Sequence, residues 1–159
     1  MKHLLAVIII MTAGFGSHAR ADWDDAVEAH DSGNYKEAFN EFKSLAEEGS
    51  ARAQSRVGFM YHVGEGIQQN YDEAVTWYRR AVEQGYSTAQ LNLGVMYSKG
   101  EGVPKDKVQA LMWFDLAAAQ GSKLADANRG NVAEMMSREE IMEAKRLAEE
   151  WRAEHQKPE

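Results

Sequence analysis

Residues 51–86 read ARAQSRVGFMYHVGEGIQQNYDEAVTWYRRAVEQGY, and residues 87–122 read STAQLNLGVMYSKGEGVPKDKVQALMWFDLAAAQGS. Set one above the other without a gap, the two blocks agree at 13 of 36 positions. Ordinary residue frequencies give roughly two. The shared residues are ordered: Ala53-Gln54, Gly58, Met60-Tyr61, Gly64-Glu65-Gly66, Ala74, Trp77, Ala81 and Gln84-Gly85 recur from Ala89-Gln90 through Gln120-Gly121. A fixed period of this length describes a stack of small units. Each is too small to bury its apolar face alone and is covered by its neighbours.

The period also sets the helices. Asn34, Asn70 and Asp106 are spaced by 36, and each is followed three residues later by Glu37, Glu73 or Gln109. That is the pattern of a helix start, in which short polar side chains satisfy unpaired backbone donors. In the middle unit Ala74, Tyr78, Ala81 and Val82 then form an apolar stripe of helical period. Gly49, Gly85 and Gly121 stand where a left-handed stop residue is expected. The spacing predicts helices over 23–31, 35–47, 51–63, 71–83, 87–99, 107–119, 123–134 and 138–154, and no segment alternates with the period of a strand. Ser137 and Glu140 open the last helix as another capping box. Its apolar face is Ile141, Ala144, Leu147, Ala148 and Trp151, and its opposite side is charged, as befits a terminal cap. His155 to Glu159 reads as a frayed tail.

Ahead of the repeats, Lys2 and His3 precede an apolar run from Leu4 to Gly16, and Ala19-Arg20-Ala21 offers a small-x-small cleavage site. We read residues 1–21 as a secretory signal peptide. The run is shorter than the roughly 20 residues that span a bilayer, so no stable membrane insertion is expected after cleavage. Residues 22–159 read as one domain: an N-terminal pair over 22–49, repeats over 50–86 and 87–122, and a C-terminal capping pair over 123–159. The expected location is periplasmic or secreted. The chain holds no cysteine, so after export the helices must hold by packing alone. Its net charge of −7, more negative once Lys2 and Arg20 leave, opposes nucleic-acid phosphates and anionic membranes.

The Met-Tyr-x-x-Gly-x-Gly turn, the Ala-x-x-Trp-aromatic step and the Ala-x-x-Gln-Gly end each occur twice in order. On these motifs the chain resembles the Sel-1-like repeat family, which is related to tetratricopeptide repeats. The resemblance is strong over 51–122. The first pair, with His30-Asp31-Ser32-Gly33-Asn34-Tyr35, has a loop four residues shorter and looks more like a plain tetratricopeptide turn. The last unit keeps Ala125 and Gly130 but lacks the Gly-x-Gly loop. The resemblance implies an all-α fold: an α-solenoid of about four antiparallel helix pairs in a right-handed superhelix, used as a protein-interaction scaffold. Some secreted bacterial relatives are cysteine-rich. This chain is not, so their ligands do not carry over.

The conspicuous residues have structural readings. Gly58 and Gly94 lie inside helices, where Gly costs about 1 kcal/mol. They read as places where Tyr78 and Phe114 approach the backbone. Gly64-Glu65-Gly66 and its copy lack the Gly-Lys-Ser/Thr and preceding strand of a phosphate cradle, so they read as tight turns. Trp77 and Trp113 recur at helical spacing and read as core. Trp23 and Trp151 read as end plugs, and the methionines mostly as gap-fillers. His30, His62 and His155 lack zinc-ligand spacing; His30 and His62 read as two solvated histidines. Paired acids such as Glu149-Glu150 do not face each other on a helix. No nucleophile-elbow Gly-x-Ser-x-Gly occurs. No catalytic, metal or cofactor residue is assigned.

In stacked pairs the first helix of each unit lines the groove. Positions there that differ between the copies are Arg52, Ser55, Phe59 and His62 in one, and Thr88, Leu91, Val95 and Ser98 in the next. These are the candidate protein contacts. Phe59, Leu91 and Val95 are equally readable as filling a curved inter-repeat core. The function expected is a non-catalytic, exported scaffold that holds a peptide or helix of an envelope protein. Two alternatives differ in class: a secreted hydrolase acting on cell-wall or antibiotic substrates, which convergent titratable groups in one pocket would favour, and a purely structural subunit of an envelope assembly.

Overall fold

The computed structural model describes residues 15–155. Eight helices follow in order: α1 (Phe15–Asp31), α2 (Tyr35–Glu47), α3 (Ala51–Val63), α4 (Tyr71–Val82), α5 (Ser87–Lys99), α6 (Lys107–Ala119), α7 (Lys123–Ala133) and α8 (Arg138–His155). There is no strand among the described residues. Helix limits match those the repeat predicts to within a residue or so, except at α1. That helix is described from Phe15, ahead of the expected start at Trp23. The expected cleavage bond, Ala21–Asp22, therefore lies within α1. The start of the expected leader, 1–14, and the tail 156–159 lie outside the described residues.

The starts are capped by the residues the period singled out, with one correction. Asn70 accepts from Glu73 N at 3.1 Å, and Asp106 from Val108 N at 2.9 Å and Gln109 N at 3.0 Å. Asn34 makes no such bond, since the shorter first loop brings it in at φ −82°, ψ 57° instead of an extended conformation. The box before α8 closes reciprocally: Ser137 N donates to Glu140 Oε2 at 2.8 Å and Glu140 N to Ser137 Oγ at 3.1 Å. Gly49, Gly85 and Gly121 take the left-handed conformation at φ +101°, +74° and +91°, ending α2, α4 and α6.

Two kinds of glycine fix how units stack. A Cβ built on Gly58 would lie 2.8 Å from Tyr78 Cδ1, and one on Gly94 would lie 2.6 Å from Phe114 Cε1. The missing side chain thus seats the aromatic ring of the second helix on the first, as the sequence suggested. In the turns, Gly102 has φ +67° and a Cβ there would meet Tyr71 O at 2.6 Å. The Gly-Glu-Gly turn of one unit therefore rests on the start of the preceding unit's second helix.

A polar clasp repeats with the same period. Gln84 Nε2 donates to Gln54 Oε1 at 2.9 Å and to Gly49 O at 3.0 Å; Gln120 Nε2 donates to Gln90 Oε1 at 2.8 Å and to Gly85 O at 3.0 Å. Gln54 and Gln90 are buried. The recurring Ala-Gln and Gln-Gly pairs thus tie each unit to the turn before it.

Helices α1 with α2, α3 with α4 and α5 with α6 form pairs, and each pair stacks on the next. The core falls into three stretches along the stack: one under α1–α3 around Phe39, Phe42 and Met60; one under α4–α6 around Tyr78, Leu93 and Met96; one under α6–α8 around Leu111 and Phe114. Trp77 and Trp113 are buried in it. Burial pushes the Tyr78 phenol far above its ordinary range, so it stays neutral. Trp23 packs on Phe42 at one end, their centroids 4.9 Å apart, and Trp151 meets Trp113 edge-on at the other.

The last two helices break the pattern. Both α7 and α8 pack against α6, and α8 does not close on α7 as earlier second helices close on their partners. The lost loop shows why: α8 starts 31 residues after α6 instead of 36, the residue at the place of Phe114 is Lys145, and Gly130, in register with Gly58 and Gly94, faces no ring. Ala144 and Ala148 instead carry α8 onto α6. Met135 and Met142 are left exposed and are not gap-fillers. His155 is likewise no frayed tail. Its ring stacks on Trp151 at 4.0 Å, and Nε2 lies 3.0 Å from Glu83 Oε2. That carboxylate above all, with the Trp151 carbonyl and Glu154, holds its pKa above the ordinary histidine value against the cost of desolvation.

Candidate protein-binding surface

Helices α1, α3 and α5 are first helices of successive units, and between them opens a recess of about 270 Å³. Its walls are Trp23 from α1; Arg52, Ser55, Arg56 and Phe59 from α3; and Tyr86, Thr88 and Asn92 from the start of α5. Four of the eight candidate contacts, Arg52, Ser55, Phe59 and Thr88, meet here. Arg52 and Thr88 are exposed, Ser55 is buried, and Phe59 keeps 36% of its surface in solvent.

The other four are placed elsewhere. Leu91 and Val95 are half-buried and pack against the core under α6–α8, the second of the two readings left open for them. Ser98 turns back on its own helix, donating to Val95 O at 2.8 Å. His62 Nε2 sits 2.8 Å from Glu101 Oε2, with its side chain 15% exposed. His30 Nε2 lies 3.1 Å from Glu65 Oε2 in the same way. The expectation of two solvated histidines is corrected. Each reaches the glutamate in the middle of the next unit's Gly-Glu-Gly turn, which is why that glutamate recurs.

Trp23, Arg56, Tyr86 and Asn92 were missed from the sequence, although the signals were present. Arg56 is four residues from Arg52 and three from Phe59, hence on the same face. Asn92 is its repeat counterpart, and Trp23 matches Ser55 once the four-residue shortening of the first loop is counted. Around these residues the guanidinium of Arg52 lies 3.7 Å over the Trp23 ring, and that of Arg56 lies 5.5 Å from Phe59 and 5.6 Å from Phe42.

Titratable groups do converge in another recess, of about 590 Å³, between α6, α7 and α8. Burial raises the Asp115 carboxyl there above its ordinary value, against the pull of Arg129, Lys145 and Arg152. Asp115 is paired with Arg129 at 3.5 Å. Ser122 Oγ, on the same wall, caps α7 by accepting from Ala125 N at 3.3 Å. No nucleophile there contacts a base. Among the described residues no three His, Asp or Glu side chains group to hold a metal ion, and no helix is long and apolar enough to cross a membrane.

A stack of antiparallel helix pairs, clasped by a repeating Gln pair and presenting variable side chains from its first helices, defines an α-solenoid repeat protein. The chain belongs to the Sel1 repeat family: residues 51–86 and 87–122 each match the Sel1 repeat. A Sel1 repeat protein from Oxalobacter formigenes is 32% identical, with a TM-score of 0.65 over 73% of this chain and 90% of that one. Also similar is c5321, described as a protective antigen present in uropathogenic Escherichia coli strains displaying an SLR fold. It is 28% identical, with a TM-score of 0.81 over 86% of this chain, which spans 30% of its length. The Helicobacter pylori cysteine rich protein B shares the fold at 20% identity and TM-score 0.57. No curated protein matches the chain. Repeats of this family generally serve protein–protein interaction as non-catalytic scaffolds.

Proposed function

We propose that the protein is an exported, non-catalytic adaptor that holds a peptide or helix of an envelope protein against the recess between α1, α3 and α5. One observation carries this reading. Arg52, Ser55, Phe59 and Thr88 occupy positions that differ between two otherwise faithful copies, and they meet in one concavity. At about 270 Å³ the recess falls below the range of about 300–1,000 Å³ usual for small-molecule sites. It suits one anchoring side chain of a larger partner. Export rests on the basic start, short apolar run and Ala-Arg-Ala site at 19–21.

The test is photo-crosslinking in intact cells from a reactive amino acid at Phe59, with Thr76 on the exposed side of α4 as control. The expected product joins an envelope protein to a chain beginning at Asp22. That partner, once purified, should bind Phe59→Ala about 30-fold more weakly than wild type, the ratio for an anchor of about 2 kcal/mol. Phe59 is partly exposed, so the melting midpoint should hardly move. Equal crosslinking from Thr76, undiminished binding by Phe59→Ala, or a dominant full-length cytoplasmic species would overturn the reading.

A further inference from the structure

The chemistry of the recess also selects among partners. The chain as a whole is acidic, with net charge −7. Three larger recesses mix both signs: Asp115, Asp126 and Glu149 stand with Lys123, Arg129, Lys145 and Arg152 in one, Glu83 with Arg152 in another, and Glu37 and Glu41 with Lys36 in the third. The recess at Phe59 has none among its walls and two arginines. Arg56 has Glu65 at 3.4 Å, but that same carboxylate oxygen also faces His30 at 3.1 Å. Among residues 23–155 Arg52 has no carboxylate partner. It is nonetheless held, because its guanidinium carbon lies 3.7 Å from the centroid of the Trp23 ring. Contact with a ring face leaves guanidinium N–H groups free for a carboxylate, which the fork meets with two parallel hydrogen bonds. Across the recess Thr88 and Asn92, one turn apart on α5, add neutral donors. Phe59, Tyr86 and the remaining edge of Trp23 supply apolar surface beside them.

We infer that the recess takes an acidic peptide segment, with a carboxylate side chain on Arg52 and an adjacent apolar side chain against Phe59 and Tyr86. This rests on the reading of the recess as a peptide site. The charge contrast has a kinetic consequence as well. A cationic recess on an anionic protein turns acidic segments toward itself.

The test is selection of a displayed random-peptide library on the purified protein. A selected peptide is then synthesised with a fluorescent label, in its native form and with every Asp and Glu replaced by Asn and Gln. Anisotropy titrations read the affinities. The selected set should be enriched in acids beside an apolar residue. The amide form should bind at least tenfold more weakly, and binding of the acidic form should fall as salt rises. Arg52→Gln should weaken the acidic form at least tenfold and leave the amide form unchanged, with an unaltered melting midpoint because Arg52 is exposed. Peptides that lose binding on Phe59→Ala but show no acid enrichment would overturn this inference while leaving the site in place. Acidic peptides indifferent to both Arg52→Gln and Phe59→Ala bind elsewhere and would overturn it too. So would selection of no peptide, and crosslinking from Phe59 then decides whether the site reading falls with it.

Discussion

Replacing Gly94 by Ala adds one methyl group, and the structure says where it goes. The new Cβ would lie 2.6 Å from Phe114 Cε1 and 2.7 Å from Cδ1, against roughly 3.5–4.0 Å for relaxed carbon contacts. Phe114 is 1% exposed and its ring sits between α6 and the core shared with α7 and α8. The ring must therefore shift by about 1 Å into packed neighbours, which puts the cost in the upper part of the range for overpacking, about 2–3 kcal/mol. Ala is the better helix former by about 1 kcal/mol, which leaves a net loss of about 1–2 kcal/mol. In a domain of this size that lowers the melting midpoint by about 3–8 °C. Gly130 is the internal control. It stands at the same repeat position, inside α7, with no atom within 4 Å of a Cβ. Gly130→Ala should therefore raise stability by about 0.5–1 kcal/mol. The same substitution at the same register position thus changes sign between successive units. Circular dichroism melts and denaturant titrations of both variants measure it. Phe114→Leu in the Gly94→Ala background should recover part of the loss, since it removes the ring that the methyl strikes. A Gly94→Ala chain that melts at or above wild type would refute the close-approach argument and the pairing of α5 with α6 built on it.

The Gln clasp predicts a loss of about 1–3 kcal/mol for Gln120→Ala, because it strips the buried Gln90 amide of its partner; Gln90→Leu with Gln120→Leu should cost less than the single change, measured by the same melts. At the end of α8, the raised pKa of His155 means its contact with Glu83 is complete below the ordinary histidine value of about 6.5 and is lost as pH rises through the higher folded value. Hydrogen exchange, corrected for intrinsic rates, should show the last turn of α8 opening more at alkaline pH than at pH 6, and His155→Ala should abolish that difference; a wild-type profile flat with pH would dismiss the latch.

The candidate surface was only half legible in the sequence. The repeat register names positions on the first helices, and four of them do meet. It could not separate Phe59 from Val95, which share that register. One stays partly exposed and the other packs against the third core. What differs is the helix beyond: Phe59 looks toward α1 and α5, and Val95 packs on the last stretch of core, on the side of α5 that meets α7. The histidines were misread for a related reason. Their partners, Glu65 and Glu101, lie 35 and 39 residues away, and no local spacing rule links residues in different units.

The sequence by itself determined the elements and their pairing through the repeats. Helix starts, left-handed stops and the glycines beneath Tyr78 and Phe114 depend on the backbone and on one neighbouring helix, so a period of 36 writes them twice. Only the tertiary structure decided how the stack ends, what its first helices expose, and where charge collects. The docking of α8 on α6 and the gathering of Trp23, Phe59 and Thr88 from three successive units both depend on the rotation between successive pairs. That rotation is the summed outcome of many side-chain contacts, and no single stretch of the chain encodes it.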